Sequence, residues 1–246
     1  MKNRNYVSFS IYGDIEKYFN ILEYNIDILK RNNFKIVLYC EEINILYLKT
    51  IFKDILIING FINGVNNKML WRLNPIFSDF TDTFFSRDAD SKITDREITL
   101  MNNFIDSNYN FHIIRDHVLH YMPIMGGLFG IKKDIYNILT SNSLPNKIKK
   151  VKNKYNYDQL YLSDYIYPIV ISNTLIHTSS YYYKNENYFK IDKALTYCGM
   201  YDNFSLAKFD KEKDHINIIN RPPIFYIVGK IFRYKWFLYI KKNNAK

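Results

Sequence analysis

Two aspartates separated by one residue, Asp88 and Asp90, have the type and spacing that most directly indicate chemistry. They follow an apolar, β-favouring run over residues 81–85, and side chains two apart in a strand point to the same side. If the strand ends here, both carboxylates face one point just beyond it. Such oxygens suit Mn²⁺ or Mg²⁺, which keeps positions open for waters and substrate phosphates. A polar turn after a strand is the alternative, so the surrounding sequence has to decide.

Polar residues before the two aspartates are candidates for the same site. Ser10 and Tyr12 end a predicted strand, and Arg72 stands beside Trp71 shortly upstream of the carboxylates. An arginine next to a tryptophan could contact a phosphate or a base. A core tryptophan with a surface arginine, and ordinary strand-end residues at 10 and 12, are the alternatives.

Charged residues and glycines after the two aspartates form a second group. Asp116 lies in an Arg-Asp-His run at the end of another predicted strand, and Gly126 and Gly127 follow soon after. Glycine removes a side chain where the backbone must come close to something. A ligand and tight packing are both candidates, and the charged run before the glycines favours a ligand.

The elements that would position these residues alternate along the chain. Strands predicted over residues 6–12, 34–40 and 54–58 are separated by helices over 14–31 and 45–52, which is typical of βαβ units and a parallel sheet. Ligands of such sheets bind beyond the carboxyl ends of the strands. Further predicted elements are a helix that starts at residue 66 and ends at Pro75, strands over 83–86 and 110–114, helices over 94–105 (with Thr94 as N-cap and Glu97 completing a capping box), 134–140 and 158–171, and a Lys-rich loop over 141–155.

Composition restricts the class of protein. The 246 residues have 48% hydrophobic content and a net charge of +10, which allows a sizeable core and favours anionic partners. Two cysteines, Cys40 and Cys198, give no disulfide framework, so we expect buried thiols in a reducing compartment. We find no signal-peptide pattern and no run of about 18 apolar residues, and expect a cytoplasmic protein. The basic, aromatic residues 230–246 could contact a membrane surface or pack on the domain.

Six motifs occur in order along the chain, at residues 7–13, 69–73, 86–91, 96–97, 111–117 and 123–132, with Asp158, Gln159 and His177 also fitting. Together they resemble a family of GT-A-fold glycosyltransferases found in bacterial surface-polysaccharide loci and large DNA viruses, over roughly residues 6–200. The resemblance implies a single α/β, GT-A-like (Rossmann-like) domain with a mostly parallel central sheet and a basic aromatic C-terminal segment. Residues 1–90 would bind the nucleotide and residues 91–200 the donor sugar and acceptor, with 201–246 as an extension.

The resemblance also implies roles for individual residues. Asp88 and Asp90 match the family's Asp-x-Asp and would hold Mn²⁺ or Mg²⁺ against the donor diphosphate, with His177 as third ligand. Asp116, or Asp158 with Gln159, would face the anomeric carbon of the sugar. Two departures stand out: Thr178 replaces an acid, and Val118 replaces a proline. The donor contacts implied are Ser10, Tyr12, Trp71, Arg72, Arg87, Asp88, Gly126 and Gly127.

The function implied is metal-dependent transfer of a sugar from a nucleotide-sugar donor, a UDP- or GDP-sugar, to a glycan, glycoconjugate or other hydroxyl acceptor. An Asp-Gln pair at a helix start is similar to some retaining enzymes of this fold, which favours a retaining transferase.

Two rival functions use the same features differently. A metal-dependent phosphoesterase or nuclease would combine Asp88 and Asp90 with His117 and His120, but few further carboxylates are nearby for a two-metal site. A nucleic-acid-binding module would use the positive charge and the many tyrosines. The basic residues are scattered or confined to two segments, and no RNA-binding signature occurs, so we expect no nucleic-acid partner.

Overall fold

The computed structural model describes residues 4–60, 67–117, 120, 122–141, 157–179, 182–183, 186–194 and 196–200. The predicted C-terminal extension, including residues 230–246, and nearly all of the predicted Lys-rich loop lie outside the described residues.

The described part of the chain is built on one sheet of eight strands, ordered β3-β2-β1-β4-β6-β5-β7-β8. Strand β6 runs antiparallel to both of its neighbours, and every other pairing is parallel. This confirms the predicted α/β class with a mostly parallel sheet. The strands are β1 (Asn5–Ser10), β2 (Lys35–Cys40), β3 (Leu56–Asn59), β4 (Thr83–Arg87), β5 (Phe111–Arg115), β6 (Phe129–Lys132), β7 (Thr174–Thr178) and β8 (Tyr188–Lys190).

The central strands are buried along their whole length, since every residue of β4, β5 and β7 is buried. A strand of this kind needs cover on both faces of the sheet. One face packs against α1 (Phe19–Arg31), α2 (Ile45–Ile51) and α3 (Asp95–Ile105).

The other face is covered by shorter helical segments. These are a 3₁₀ helix (Lys68–Phe77), α4 (Tyr136–Ser141), and α5 (Tyr157–Tyr161), which passes through a π-helical turn (Leu162–Ile166) into α6 (Tyr167–Val170). The result is a three-layer α/β/α arrangement in which loops at the carboxyl edge of the sheet lie between the two helical layers.

Several local predictions need correction. The first helix begins later than residue 14, as a 3₁₀ turn (Glu16–Tyr18) before α1. The residues over 68–77 form a 3₁₀ helix that continues through Pro75. Thr94 caps α3 as predicted, by accepting a hydrogen bond from the Glu97 amide, but the Glu97 carboxylate pairs with Arg87.

Two further findings concern the sheet and the thiols. The sequence reasoning missed β6, which begins just after a glycine pair, β7, which contains His177, and β8, whose three residues are all exposed. Cys40 and Cys198 are free and buried, as expected. None of the helices in the described ranges has the length and apolar content that a bilayer crossing requires.

Candidate functional site

The sheet has a topological switch point between β1 and β4. From β1 the chain proceeds to β2 and β3 on one side, and it returns to β4 on the other side of β1. Ligands of open α/β sheets bind in the crevice that such a reversal creates at the carboxyl edge. Ser10 ends β1 and Tyr12 follows it, and Asp88 and Asp90 follow β4. The topology therefore brings four of the predicted site residues to one place.

A cleft at this point is lined by residues from β1 and the loop after it, the 3₁₀ turn before α1, the 3₁₀ helix and the loop after β4. Asp88 has 47% of its side chain exposed, and Asp90 is half-buried. Ala89 between them is 4% exposed and packs into the core, so the two carboxylates lie on the cleft side. The lining residues are Ser10, Tyr12, Tyr18, Met69, Arg72, Asp88, Ala89 and Asp90.

Arg72 links two carboxylates at the base of the cleft. Its guanidinium forms an ion pair with Asp88 on one side and donates to Asp158 Oδ2 at 2.9 Å on the other. Arg72 and Asp158 are buried, at 6% and 1% exposed. Burial opposes the charge of Arg72, but Asp88 and Asp158 outweigh it and raise its pKa. The Arg72 charge is therefore firmly held between the two acids.

The pKa values of Asp88 and Asp158 shift in opposite directions, although both carboxylates pair with Arg72. Desolvation opposes ionisation of Asp88, but Arg72 outweighs it and lowers the pKa of Asp88. Asp158 lies deeper, and burial raises its pKa by more than the charge of Arg72 lowers it. Gln159, the next residue, is half-buried and is not among the described residues that line the cleft.

Gly126 and Gly127 pack directly against these side chains. A Cβ at Gly126 would lie 2.5 Å from Asp158 Oδ2, and one at Gly127 would lie 2.1 Å from Asp88 Oδ2. The Gly126 carbonyl accepts a hydrogen bond from Ser86 Oγ at 2.8 Å. In this structure the glycines make room for carboxylates, so the interpretation of close backbone approach to a ligand is corrected to packing.

Aromatic residues near the cleft divide into accessible and inaccessible ones. Trp71 is 0% exposed and its ring lies against Gly60, where a Cβ would be 2.1 Å from the indole. Its predicted contact with a base is therefore wrong for this structure. Tyr12 contacts Trp71 edge-on, with 6.4 Å between ring centroids, and reaches the cleft.

Tyr18 lines the same cleft, although no motif indicated it. Burial raises the pKa of both Tyr12 and Tyr18 to about 12, so their hydroxyls stay protonated and can donate. The Ser10 hydroxyl accepts a hydrogen bond from the Arg72 backbone amide at 2.8 Å, and its own O–H can still donate.

Arg87 points away from the cleft, contrary to its predicted contact with the donor. Its side chain is 1% exposed and its Nε lies 2.7 Å from Glu97 Oε1. It also donates to Ser91 Oγ and to the Lys92 carbonyl, each at 2.9 Å. Alternation along β4 explains the error, since Ser86 and Asp88 face one side and Arg87 the other.

Asp116 is enclosed by partners after β5. Arg96 donates to both of its carboxylate oxygens, at 2.7 and 2.9 Å, and the Cys198 amide donates to Oδ2 at 3.1 Å. Its side chain is 0% exposed. This geometry contradicts the predicted contact with a sugar, because no face of the carboxylate is open.

His177 lies on β7 and does not join the two aspartates. A hydrogen bond of 2.8 Å connects its Nδ1 to Nε2 of His112 on β5. Burial lowers the pKa of His177 to about 4, Arg96 adds to this, and Asp116 opposes it. In the sheet, β6 and β5 separate its strand from β4, which Asp88 and Asp90 follow, so the predicted role as third metal ligand is wrong.

His117 and His120 are also placed elsewhere. His117 stacks on Tyr197 at 4.2 Å between ring centroids, and His120 Nδ1 accepts from the Asp116 amide at 3.1 Å. Within the described residues no group of three or more His, Cys, Asp or Glu side chains is placed to hold a metal ion. The four-residue set that the phosphoesterase hypothesis needs is therefore not assembled.

The Asp88–Asp90 pair nevertheless fits a hard divalent cation. Both carboxylates lie on one cleft, and Asp88 is ionised beside Arg72. Mg²⁺ and Mn²⁺ are commonly bound by one or two carboxylates, with waters and substrate phosphates completing the coordination. A two-carboxylate site at a switch point suits a cation that is shared with a phosphorylated substrate.

Several solved structures are similar to this chain. No protein-family model and no curated protein matches the sequence. A glycosyltransferase involved in glycosylation of the major capsid of PBCV-1 is 15% identical, with a TM-score of 0.45, over 71% of this chain and 81% of that one.

Two further structures are similar to this chain over different shares of its length. Mannosyl-3-phosphoglycerate synthase from Rubrobacter xylanophilus is 10% identical, with a TM-score of 0.42, over 54% of this chain and 55% of that one. The 4-diphosphocytidyl-2C-methyl-D-erythritol synthase from Anaerococcus prevotii is 9% identical, with a TM-score of 0.49, over 90% of this chain and all of that one. At these values the activity has to be inferred from the site itself.

Proposed function

We propose that this chain is a metal-dependent glycosyltransferase that moves a sugar from a nucleotide-sugar donor, a UDP- or GDP-sugar, to a hydroxyl of a glycan or glycoconjugate. The observation that carries the proposal is the placement of Asp88 and Asp90 on one cleft at the switch point, with Arg72 between Asp88 and Asp158. Residues 1–90 supply most of this cleft, which supports their proposed role as the nucleotide-binding half.

The anionic part of the donor would lie against these charges. Asp88 and Asp90 would hold Mn²⁺ or Mg²⁺, which when bound supplies neutralisation of the charge that develops on the leaving diphosphate. Arg72 adds a second positive charge with a planar donor set that matches phosphate oxygens. Asp158 keeps this guanidinium oriented, since it forms a buried ion pair on the far side of Arg72.

The nucleoside part would lie along the tyrosines. Tyr12 presents an aromatic surface at the cleft, and its hydroxyl and that of Tyr18 stay protonated and can donate to ribose or phosphate oxygens. A contact of Asp158 and Gln159 with the sugar stays a prediction from the resemblance, since Asp158 is buried against Arg72 and Gln159 is not among the described residues that line the cleft. A retaining outcome stays a prediction from the resemblance.

A thermal-shift screen tests this function. UDP-, GDP- and CDP-sugars are each added to the full chain with and without Mn²⁺, and the melting temperature is recorded. Native-state binding at 100 times Kd adds about 2.7 kcal/mol of stability. We expect a shift that requires both the metal and one nucleotide class, followed by release of that nucleoside diphosphate when a hydroxyl acceptor is present.

Other outcomes of the screen would overturn the proposal. No shift with any donor at millimolar concentration would remove it. Release of pyrophosphate from a nucleoside triphosphate would indicate nucleotidyl transfer, and metal-dependent cleavage of a phosphodiester without a sugar donor would indicate a phosphoesterase.

A further inference from the structure

Three buried polar side chains lie close together behind the cleft, next to the segment that follows Asp90. Asn25 of α1, Arg87 at the end of β4 and Glu97 of α3 are 0%, 1% and 2% exposed. None of them lines the cleft. Burying an amide and two charges is unfavourable unless hydrogen bonds and ion pairs compensate, so their partners indicate what they are for.

Asn25 bonds to the backbone with both ends of its amide. Its Nδ2 donates to the Ser91 carbonyl at 3.0 Å, and its Oδ1 accepts from the Ile93 amide at 2.8 Å. This is the pairing that a neighbouring strand would provide, supplied here by one side chain. Residues 91–93 are thereby fixed to α1.

Arg87 fixes the same segment from the sheet. Its two terminal nitrogens donate to Ser91 Oγ and to the Lys92 carbonyl, each at 2.9 Å. Glu97 holds the guanidinium from the other side, at 2.7 Å from Nε. The guanidinium therefore connects β4, α3 and the segment after Asp90.

The carboxylate loop, residues 88–93, is in this way held on both sides of Asp90. Before Asp90, Ala89 is anchored in the core at 4% exposed. After it, Ser91 is bound by both Asn25 and Arg87. With its neighbours fixed, the backbone at Asp90 has little freedom to turn the carboxylate away from the cleft.

We propose that Asn25 and Arg87, supported by Glu97, are positioning residues that hold Asp90 toward the cleft for a divalent cation and a nucleoside diphosphate. This rests on the proposed function, since it assigns these residues to the same site. They act through the backbone of the carboxylate loop and do not touch the ligand.

Asn25→Ala in the full chain tests the proposal. Mn²⁺ affinity is measured by electron paramagnetic resonance of the free ion, and UDP and GDP affinity by calorimetry at fixed Mn²⁺. Loss of groups that orient metal ligands typically weakens metal binding about tenfold to a hundredfold. We expect that loss in Asn25→Ala, together with a higher Mn²⁺ concentration for half-maximal activity and a kcat close to wild type at saturating Mn²⁺.

Ile57→Val on β3 is the matched control, because it trims a buried core residue outside this loop. It should lower the melting temperature and leave Mn²⁺ affinity unchanged. If Asn25→Ala fails to fold, Arg87→Lys replaces it. That variant keeps a charge beside Glu97 and cannot reach both Ser91 and Lys92, so it should weaken Mn²⁺ binding in the same direction.

A double-mutant cycle identifies the route of the effect. If Asn25 acts through Asp90, Asn25→Ala should weaken Mn²⁺ binding much less in an Asp90→Asn background, whereas independent sites give additive effects. Additive effects, or wild-type affinity in Asn25→Ala and Arg87→Lys, would overturn the positioning role alone. A wild-type chain that binds neither Mn²⁺ nor nucleotide would overturn the proposed function, and the positioning role with it.

Discussion

The polar residues that follow β4 and those that follow β5 lie at the same edge of one sheet but have opposite environments. After β4, the Asp88 side chain is 47% exposed and faces a cleft. After β5, the Asp116 side chain is 0% exposed and both oxygens are bound by Arg96. Two aspartates with similar sequence settings therefore differ in whether a ligand can reach them.

Partners from elsewhere in the chain produce this difference. On the β5 side, Arg115 is paired with Glu186, and His177 of β7 is paired with His112. Each of these groups is buried with its partner. On the β4 side, Asp88 keeps an exposed face beyond its ion pair with Arg72. One half of the carboxyl edge of the sheet is thus open to a ligand, and the other half stabilises the fold through buried side-chain pairs.

Asp90→Ala should show the largest effect, and it should affect activity only. A metal ion contributes several kcal/mol to stabilising a charged transition state, so we expect about a thousandfold loss of turnover. The melting temperature should change little, because Asp90 lies half-exposed on the cleft. Steady-state kinetics and thermal unfolding of the same preparation check both parts.

Two aspartate variants sharpen this result. Asp27→Ala, which removes an exposed carboxylate on α1, should leave both activity and stability unchanged. Asp116→Ala should instead lower stability, since it leaves Arg96 without its carboxylate partner. Full activity in Asp90→Ala would break the distinction between the two halves.

Glu186→Ala should have the next largest effect, on stability. Glu186 accepts from both terminal nitrogens of Arg115, from the Tyr167 hydroxyl and from the Tyr183 amide. Removing one partner of a buried ion pair leaves an uncompensated charge and costs about 4 kcal/mol. Urea unfolding measures the loss, and Mn²⁺ affinity of the folded fraction should equal wild type. A drop in Mn²⁺ affinity with unchanged stability would contradict this assignment.

Acidification should destabilise the β5 side through His177. Burial lowers the pKa of His177 to about 4, below its ordinary value of 6.5, so the unfolded chain binds more protons between these values. The contribution of His177 to the free energy of unfolding is fully present above pH 6.5 and is lost as the pH falls through 4. It amounts to about 3 kcal/mol.

The double variant His112→Leu, His177→Leu removes both rings of this pair. Urea unfolding at pH 7 and pH 4 should show a smaller difference in unfolding free energy than in wild type, by at least about 3 kcal/mol, because burial lowers the pKa of His112 as well. An unchanged difference would mean that the acid sensitivity originates elsewhere.

The sequence predicted the sheet well where strands are long and buried. The runs at β1, β2, β4 and β5 are apolar or β-branched, and their alternation with helices indicated the parallel order. The prediction failed at β6, β7 and β8. Strand β6 contains a glycine, the short apolar run of β7 is interrupted by a histidine, and β8 is a short, exposed edge strand.

The candidate site was predictable in part, for a similar reason. The spacing of Asp88 and Asp90 after a strand is a local signal, whereas the pairing of Arg72 with Asp158 joins residues 86 positions apart. Two signals were present and unused: the alternation that turns Arg87 away, and Asn25 in the apolar stripe of α1. A polar residue on the buried face of a helix indicates a partner.

The antiparallel strand β6 also has a consequence for how the molecule folds. In the sheet formed by the described residues, β6 is the strand that hydrogen-bonds both to the parallel group β3-β2-β1-β4 and to the group β5-β7-β8. Gly126 and Gly127 come directly before it and pack on Asp158 and Asp88. Because contacts that join distant parts of a chain form slowly, we expect β6 to pair with both groups of strands late in folding. The packing of Gly126, Gly127 and Asp158 behind the cleft would then be complete only in the last step to the native state.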